Sequence, residues 1–428
     1  MERIRTVEAI QHVGQRVRVQ GWLQTARPMG GITFLILRDG WGTLQIVAKT
    51  TEPLTFSTES VLSIEGVLCA QPRAPGGVEL IEPEITVVTP ITEPTPVTLS
   101  KRELKASLPT LLDHAPIVLR HPTRRAVFKL SAAAMAGFRQ GLEAHGFTEI
   151  QTPKIVASAT ESGANVFALD YFGTPAYLAQ SPQFYKQTMV GVFERVFEVG
   201  PVFRAEPHST TRHINQYVSL DVEVGFIENH TTVMRWVEVA LRAILATIAQ
   251  RCPEELELLG ADMPEVPETI PQIHFRAAKA LLAEHQRASA TRLDLTPEEE
   301  RWLGEWAWKE HQSAFLFVVG YPMAKRPFYT HPNPKEPTFS NSFDLLFRGT
   351  ELITGGQRLH RYADYQAALQ KANLPEEPFL HYLEAFRFGM PPHGGFAIGL
   401  ERLLMQLLAA PNLRLTTLFP RDMHRLAP

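Results

Sequence analysis

The stretch FRAEPHSTTRHINQYVSLDVE, residues 203–223, places an unusual set of charges inside strand-like segments. Arg204 and Glu206 lie two residues apart, as do Asp221 and Glu223, so in extended strands each pair shares one face. The apolar residues between them indicate buried strands, where a charge without a partner is costly. The stretch therefore predicts two antiparallel strands and a basic loop that present charge to a ligand. A surface hairpin held by ion pairs is the alternative.

The length and charge of the chain limit the classes of protein that it can represent. With 428 residues there is room for two or three domains, one of them with a large core. The formal net charge of -3 argues against a uniformly basic nucleic-acid coat, although a local basic groove remains compatible with it.

Cysteine usage and hydropathy indicate the compartment. Cys69 and Cys252 are the only cysteines and lie far apart, which disfavours a disulfide framework or a thiolate zinc site. No run of about eighteen apolar residues occurs, and the first residues lack the apolar core of a signal peptide. We therefore expect a soluble, cytoplasmic protein.

The N-terminal part of the chain is typical of a small β-barrel. Five β-rich runs between residues 15 and 90 are separated by Gly, Pro and Asp turns, which favours an OB-fold. The following stretch PITEPTPVTLS has three prolines and predicts a stiff linker. We therefore predict an OB-fold domain at residues 1–97, a hinge at 98–120 and a catalytic domain at 121–428.

The catalytic part is predicted to have an α+β fold with an antiparallel sheet flanked by helices. A helical apolar period begins near residue 127, and Gly146 is placed to end that helix. Strand-like runs follow, then the amphipathic run TTVMRWVEVALRAILATIA, an acidic helical region at 255–312, and further strands before a closing helix. Strands and helices in this order favour an α+β architecture.

Two further groups of residues have the chemistry of a binding site. In FDLLFRGTELITGGQRLH, Asp344 and Glu351 supply carboxylates that suit Mg²⁺, and Arg358 offers a planar fork for a carboxylate. A structural Arg–Glu pair is the alternative there. In PPHGGFAIGLERLL, a Gly-rich strand turns at Gly399 into a helix that begins with Glu401 and Arg402, and such helix N-termini attract phosphate. Phosphate loops of the GxxxxGK[ST] and GxGxxG kinds and the HExxH pattern are absent.

Taken in order, these motifs resemble those of class II aminoacyl-tRNA synthetases. GFTEIQTPKIV, around residues 146–156, resembles motif 1, residues 203–223 resemble motif 2, and the segment around 391–408 resembles motif 3. The N-terminal barrel is similar to that of the Asp/Asn/Lys subgroup. SPQFYKQ, RPFYT and GGQRLH resemble aspartyl enzymes of the compact, archaeal-type line. The resemblance covers essentially the whole chain.

The resemblance implies a role in ATP binding for a defined set of residues. Arg204 and Arg402 would be the catalytic arginines, Arg204 on the α-phosphate and substrate carboxylate and Arg402 on the γ-phosphate and adenine. The remaining ATP-binding residues implied are Glu206, Arg212, His213, Tyr217, Glu351 and Gly399. Mg²⁺ would be held by Asp344, Glu351 and Thr354. Gln216 departs from the glutamate usual in this family, and we expect it to point away from the adenine.

The resemblance also implies an aspartate pocket. Arg358 would bind the side-chain carboxylate of the substrate, with Lys186 as a second cation. Asp221, Gln183 and Glu161 would hold the α-ammonium group. Arg204 and Thr354 complete the aspartate-binding set. Two buried cations facing a neutral amide would lack a partner, which gives a basis for rejecting asparagine.

In the barrel, the resemblance implies an anticodon site formed by Arg27, Phe34 and Gln45. Phe34 would stack on the central base and Gln45 would read it by hydrogen bonding. A core aromatic of the barrel is the alternative for Phe34. Gln24 and Pro75 occupy the places that correspond to a tryptophan and a lysine in enzymes restricted to tRNA(Asp). Neither residue matches, which predicts an enzyme that charges tRNA(Asp) and tRNA(Asn).

The sequence thus predicts ATP-dependent aspartylation through an aspartyl-adenylate, with AMP and diphosphate as products. The expected partners are the two tRNAs, aspartate, ATP with Mg²⁺, a second copy of the chain around motif 1, and a tRNA-dependent amidotransferase. An asparaginyl enzyme and a non-catalytic RNA-binding paralogue are the alternatives.

Overall fold

We analysed a computed structural model of the chain, which describes residues 2–50, 54–157, 165–289 and 293–428. The chain divides into two compact units, Met1–His121 and Pro122–Pro428. Among the described residues, no helix combines the length and the apolar character needed to cross a membrane.

The first unit is built on a closed five-stranded barrel, as predicted. Its strands are β1 (Arg16–Met29), β2 (Ile32–Arg38), β3 (Thr43–Ala48), β4 (Val61–Ala70) and β5 (Val78–Thr89). They close in the order β1-β2-β3-β5-β4. Along β2, β3 and β4 buried residues alternate with partly exposed ones, because successive side chains of a strand point to opposite faces. The inward set, which includes Leu35 and Ile46, forms a separate core.

The segment predicted as a hinge, residues 98–120, contains two short helices and belongs to the first unit. These helices are α1 (Leu108–Asp113) and α2 (Ala115–Val118), and both carry a proline within their first two positions. Val97, Leu99 and Val118 form a small apolar cluster there. The proline-rich stretch before it forms neither helix nor strand.

The second unit contains an eight-stranded sheet. Its strands are β6 (Thr148–Glu149), β10 (Arg195–Phe203), β11 (Gln216–Gly225), β12 (Gln272–His274), β13 (Phe315–Val319), β14 (Ser342–Phe347), β15 (Thr350–Gln357) and β16 (His393–Gly399), in the order β12-β13-β14-β15-β16-β11-β10-β6. The six inner strands are antiparallel, as predicted. The short edge strands β6 and β12 pair in parallel, so the complete sheet is mixed.

In the described residues of this unit, a second, three-stranded sheet and nine α-helices accompany the large sheet. The small sheet has the order β7-β9-β8 and consists of β7 (Ile155–Val156), β8 (Ala168–Tyr171) and β9 (Thr174–Leu178). The helices are α3 (Pro122–Glu143), α4 (Gln183–Phe193), α5 (His230–Arg251), α6 (Pro253–Leu259), α7 (Phe275–Glu284), α8 (Pro297–His311), α9 (Tyr362–Lys371), α10 (Leu380–Arg387) and α11 (Leu400–Leu407). The motif 1 stretch forms only two short strands, separated by Pro153, which has no N–H for a sheet.

The two faces of the large sheet differ in chemistry. On one face, apolar residues of the strands pack against α3, α5 and α11, which contribute Phe138, Leu241 and Leu404 to the largest core cluster. Strand β11 sends Leu220 and Val222 into this core. Because side chains alternate along a strand, the intervening residues of β11 point to the other face. The polar side chains of β11 therefore lie on the face opposite the apolar core.

Candidate active site

Strand β11 places four polar side chains in a row. Tyr217, Ser219, Asp221 and Glu223 are spaced two residues apart and share the face opposite the apolar core. The Oγ of Ser219 donates to Asp221 at 2.5 Å, which joins two members of the row. Tyr217 lies at one end, beside an open pocket, and Glu223 lies at the fully buried end. The row therefore connects two regions of different exposure.

The open region is a pocket that contains all eight residues predicted to bind ATP. Its lining consists of Arg204, Glu206, Arg212, His213, Ile214, Tyr217, Ser219, Glu351, Leu352, Thr354, Ala397, Gly399, Glu401, Arg402 and Leu413. We call this region the nucleotide side. Gln216 is exposed and is not among the lining residues, which agrees with the prediction that it points away.

Charges on the nucleotide side are partly paired across the pocket. Arg402 donates to the backbone oxygen of Glu351 at 2.9 Å and contacts its carboxylate at 3.4 Å. The ring of His213 lies 3.5 Å from the Glu206 carboxylate. The Arg204 guanidinium lies over the Tyr217 ring, 5.8 Å from its centre. Several cations thus converge on one cavity, as binding of a polyphosphate requires.

A glutamate that the sequence interpretation missed lies behind this cluster. Glu300 of α8 accepts a hydrogen bond from the Glu351 amide at 3.1 Å and lies 4.0 Å from Arg212. Burial, together with the nearby Glu351 carboxylate, raises the pKa of Glu300 to about 7. It stands among three adjacent glutamates in the first turn of α8, so the sequence carries no signal that distinguishes it.

The buried region holds two cations and two carboxylates in contact. Lys186 Nζ lies 2.9 Å from Asp221 Oδ1 and 3.5 Å from Glu223 Oε2. Arg358 Nε donates to Glu223 Oε1 at 3.1 Å, and its Nη2 donates to the Gly395 carbonyl at 3.1 Å. We call these four side chains the amino-acid side. Their charges balance, which is the condition under which buried ions are tolerated.

Close approach of a neighbouring strand seals this region. A Cβ atom on Gly395 of β16 would lie 2.1 Å from Glu223 Oε2 and 2.1 Å from the Val222 carbonyl. Both distances are below any real contact, so only glycine fits at this position. The Gly-rich run of motif 3 therefore allows the strand to pass directly beside the buried charges.

Two other residues of the predicted aspartate pocket have different positions. Gln183 is the first residue of α4 and is buried, and in the described part of the chain its side-chain nitrogen has no hydrogen-bond partner. A buried donor of this kind is costly unless a ligand uses it. Glu161 lies outside the described residues.

The residues predicted to hold Mg²⁺ are brought together only in part. Thr354 Oγ1 lies 3.4 Å from Glu351 Oε1, and both residues line the pocket. Asp344 is buried beside them, but its carboxylate accepts from Arg326 Nη2 at 3.0 Å. Burial raises the pKa of Asp344 to about 6, opposed by Arg326 and reinforced by Glu351. The carboxylate and hydroxyl oxygens of Glu351 and Thr354 fit Mg²⁺, which takes few protein ligands.

The barrel residues predicted to read an anticodon lie outside the barrel core. Phe34 pairs with Arg27 across β1 and β2, and it is half-buried while its neighbour Leu35 is inside. Gln45 lies opposite Ile36 on β3 and donates to Glu79 at 2.9 Å. The core-aromatic alternative for Phe34 is therefore wrong. Gln24 is half-buried on β1, and Pro75 is exposed in the turn before β5.

The structure also adds residues that were not assigned to the site. Glu223 pairs with Arg358, and its signal was its place on the same strand face as Asp221. Arg326 comes from the RPFYT stretch and neutralises Asp344. Glu401 accepts from the Val218 amide with both oxygens at 3.1 Å, which fixes the start of α11 to β11.

The chain combines an N-terminal five-stranded barrel with a largely antiparallel sheet that carries three ordered motifs, and this combination is typical of class II synthetases with an OB-fold domain. The chain belongs to the class II tRNA synthetases of the D, K and N group: the model of that family matches residues 107–423. The model of the OB-fold nucleic acid binding domain matches residues 17–88. The predicted OB-fold and class II architecture are thereby confirmed.

Similar proteins extend over nearly the whole chain. It is 47% identical to the aspartate–tRNA(Asp/Asn) ligase of Thermus thermophilus, over 97% of this chain and 98% of that protein. It is 46% identical to the enzyme of the same name from Deinococcus radiodurans, over 100% of this chain and 99% of that protein. Among solved structures, asparaginyl-tRNA synthetase from Pyrococcus horikoshii complexed with asparaginyl-adenylate matches with a TM-score of 0.92 and 29% identity, with 100% of both chains covered.

Proposed function

We propose that this protein activates L-aspartate with ATP and transfers it to tRNA. The observation that carries the proposal is the amino-acid side: Lys186 and Arg358 are buried beside the nucleotide side and are neutralised by Asp221 and Glu223. An aspartate adds a carboxylate for the cations and an ammonium group for the anions, so the site remains balanced when it is occupied. The names of the two aspartate–tRNA(Asp/Asn) ligases described above agree with this substrate.

In the first step, an oxygen of the substrate α-carboxylate attacks the α-phosphorus of ATP and diphosphate leaves. The nucleophile is already ionised, so no side chain has to remove a proton. In this proposal Arg204 stabilises the charge that builds on the phosphorus oxygens, and Arg402 binds the leaving phosphates. In the second step, a terminal ribose hydroxyl of the tRNA attacks the acyl carbon, its proton passes to the departing phosphate group, and AMP leaves. Catalysis then depends on positioning and electrostatics.

Glu351 and Thr354 are the residues that would hold Mg²⁺ at the phosphates, with Asp344 behind them. The ion would neutralise phosphate charge that the arginines alone leave uncompensated. Asp344 already contacts Arg326 at 3.0 Å, so its contribution in this structure is to hold that arginine.

Amino-acid-dependent exchange of diphosphate into ATP tests the substrate. We expect exchange with aspartate and little with asparagine, because the amide NH2 of asparagine would place a hydrogen-bond donor against the donor groups of Arg358 and Lys186, where the second carboxylate oxygen of aspartate accepts. The fold alone does not decide between them, since an asparaginyl enzyme matches it closely. Exchange driven by asparagine in preference to aspartate would establish that alternative instead.

For tRNA recognition we propose that Phe34 and Gln45 contact the anticodon from the outer face of the barrel. Phe34→Ala should raise the KM for tRNA about tenfold, because loss of base stacking costs about 1–3 kcal/mol. Aspartate-dependent diphosphate exchange should not change, since that reaction does not use the barrel. Phe34→Tyr keeps the ring and is the matched control. An unchanged KM for tRNA would remove Phe34 from the interface.

We further propose that both tRNA(Asp) and tRNA(Asn) are charged. Gln24 and Pro75 lack the bulk and charge of the tryptophan and lysine found in restricted enzymes, so the third anticodon base is not excluded. Aspartylation of the two transcripts side by side tests this directly. If tRNA(Asn) accepts no aspartate, the proposal that both tRNAs are charged is refuted, whereas the proposal of aspartate activation is unaffected. Charging of tRNA(Asn) would require a tRNA-dependent amidotransferase to convert the product to asparagine.

We propose that the enzyme works in the cytoplasm as a homodimer formed around motif 1. Pro153 is exposed between β7 and the main sheet, where a second copy can reach it. Pro153→Gly should weaken both dimerisation and activity, as measured by analytical ultracentrifugation and exchange. A fully active monomer would contradict this interface. A non-catalytic paralogue is disfavoured, because Arg204, Arg402 and the barrel residues are all present.

A further inference from the structure

Near its tip, the loop that carries Arg212 and His213 has, among the described residues, only short-range hydrogen bonds of its own, whereas Asn215 closes its base by donating to the Arg204 carbonyl at 2.7 Å. Thr210 Oγ1 lies 2.6 Å from His213 Nδ1, and the Arg212 amide donates to the same hydroxyl at 3.2 Å. Residues 208–211 are exposed. Local hydrogen bonds in an exposed loop do not by themselves fix the side chains at its tip. Accurate binding of phosphates requires another source of order.

That source is the C-terminal segment, which we define as residues 412–425. It contacts the backbone of the loop at three points: the Leu413 amide donates to the Thr211 carbonyl at 2.8 Å, Arg414 Nη1 donates to the Thr210 carbonyl at 2.9 Å, and the Asn215 amide donates to the Arg421 carbonyl at 2.7 Å. The first two contacts lie one and two residues before Arg212 in the sequence. The segment therefore binds both the tip and the end of the loop.

Arg414 is itself fixed from the opposite side. Its Nε donates to Asp422 Oδ2 at 2.5 Å, and the side chains of Arg414 and Asp422 are 8% and 9% exposed. The other oxygen of Asp422 accepts from the His424 amide at 2.9 Å. Burial acts to raise the pKa of Asp422, but the hydrogen bonds from His424 and Arg414 outweigh it and lower that pKa. The pair is thus ionised, buried and geometrically complete.

We propose that Arg414 and Asp422 are positioning residues that order the loop for the β- and γ-phosphates of ATP. The inference rests on the proposed function of the pocket as an ATP site. A cation held by Asp422 presents a rigid donor to Thr210, so Arg212 and His213 are arranged before ATP arrives. Preorganisation of this kind removes an ordering cost from binding. Its effect is confined to phosphate contacts, because the amino-acid side lies on other elements.

Kinetics of Asp422→Asn and Arg414→Lys in the full-length chain test the proposal. Both should raise the KM for ATP in diphosphate exchange by about ten- to a hundredfold, since small misplacements of binding groups have effects of this size. The KM for aspartate should stay within about twofold, and AMP, which lacks the β- and γ-phosphates, should bind as it does to the wild type. An unchanged KM for ATP, or an equal rise in both KM values, would overturn the proposal.

A double-mutant cycle with Arg212→Ala separates positioning from general destabilisation. If Arg414 acts through Arg212, then Arg414→Lys should have little further effect in the Arg212→Ala protein. Fully additive effects would contradict that route. Arg421→Gln is the matched control, because within the described part of the chain that side chain donates only to the Phe419 and Pro420 carbonyls, at 3.0 and 3.4 Å. It removes a charge from the same segment but keeps the backbone contact.

Direct titration with ATP and with AMP keeps this test independent of the proposed activity. If the wild-type protein shows no exchange with aspartate, the proposed function fails. The positioning role is still measured by whether Asp422→Asn weakens ATP more than AMP. Thermal melting of each variant, compared with the Arg421→Gln control, identifies any that fail to fold. If one of the two variants, Arg414→Lys or Asp422→Asn, fails to fold, titration of the other one decides the positioning role.

Discussion

The amino-acid side and the nucleotide side differ in how far their charged side chains are exposed to solvent. On the amino-acid side, Lys186, Asp221 and Glu223 have side chains that are at most 2% exposed, and Arg358 is 9% exposed. On the nucleotide side, Arg212, His213 and Arg402 are 33–34% exposed. The charges of the amino-acid side balance one another before any ligand binds, whereas the cations of the nucleotide side are partly exposed to solvent.

This difference follows from what each ligand demands. A small amino acid has to be distinguished from its near neighbours, and buried charges give large penalties for a wrong partner. A nucleotide is large and strongly charged, so it can be bound by partly solvated cations and has to enter and leave as its products form. The contrast predicts that changes on the buried side have larger and more specific effects than changes on the open side.

The largest effect is expected from Arg358→Leu. It leaves Glu223 buried with only Lys186 as a partner and removes the group proposed to bind the substrate side chain. Removing one partner of a buried pair costs about 3–5 kcal/mol, which corresponds to a loss of aspartate-dependent exchange of at least about a hundredfold. ATP binding, measured by titration calorimetry, should be preserved. Unchanged aspartate affinity would exclude Arg358 from the pocket.

A smaller effect is expected from Arg212→Ala on the open side. Loss of one charge-assisted contact costs about 1.5–3 kcal/mol, so the KM for ATP should rise about tenfold or more. The KM for aspartate should not change, which is the pattern opposite to that of Arg358→Leu. Arg421→Gln again provides a control for loss of a nearby positive charge. If the two KM values rise together, the division into two sides is wrong.

Salt should separate the two sides without mutation. Charges exposed to solvent are screened within about 8 Å at physiological ionic strength, and buried pairs are screened much less. Raising potassium chloride should therefore increase the KM for ATP several-fold while the KM for aspartate changes less. Steady-state diphosphate exchange at a series of salt concentrations is the measurement. Equal sensitivity of both substrates would show that the buried charges are accessible to ions.

The smallest effect concerns stability rather than activity. Burial raises the pKa of Glu401 from 4.5 to about 7. Between these values the native state holds a proton that the unfolded chain has lost, so the free energy of unfolding decreases as pH rises through this window. Glu401→Gln cannot ionise and should show a shallower decrease. Urea unfolding at about pH 5 and about pH 8 measures the difference, and identical slopes would show that Glu401 does not titrate there.

The sequence by itself predicted a large part of the site, partly from strand alternation and partly from the resemblance of its three motifs to those of class II synthetases. Alternation along β11 placed Asp221 and Glu223 on one face, and that placement follows from strand geometry alone. The five-stranded barrel followed from its runs and turns. The eight residues predicted for ATP were found around one pocket because motif 2, motif 3 and the run around Glu351 supply the neighbouring strands β11, β16 and β15 of one sheet.

Other features depended on the tertiary structure. No local pattern assigned Arg326 or Glu300 to the site, and the pairing of Arg358 with Glu223 joins residues that are 135 positions apart. The contact from Arg414 to the Thr210 carbonyl spans 204 positions. Periodicity specifies which face a side chain occupies, but it does not specify which distant segment meets that face. That partner is set by the path of the chain and by the need to pair each buried charge.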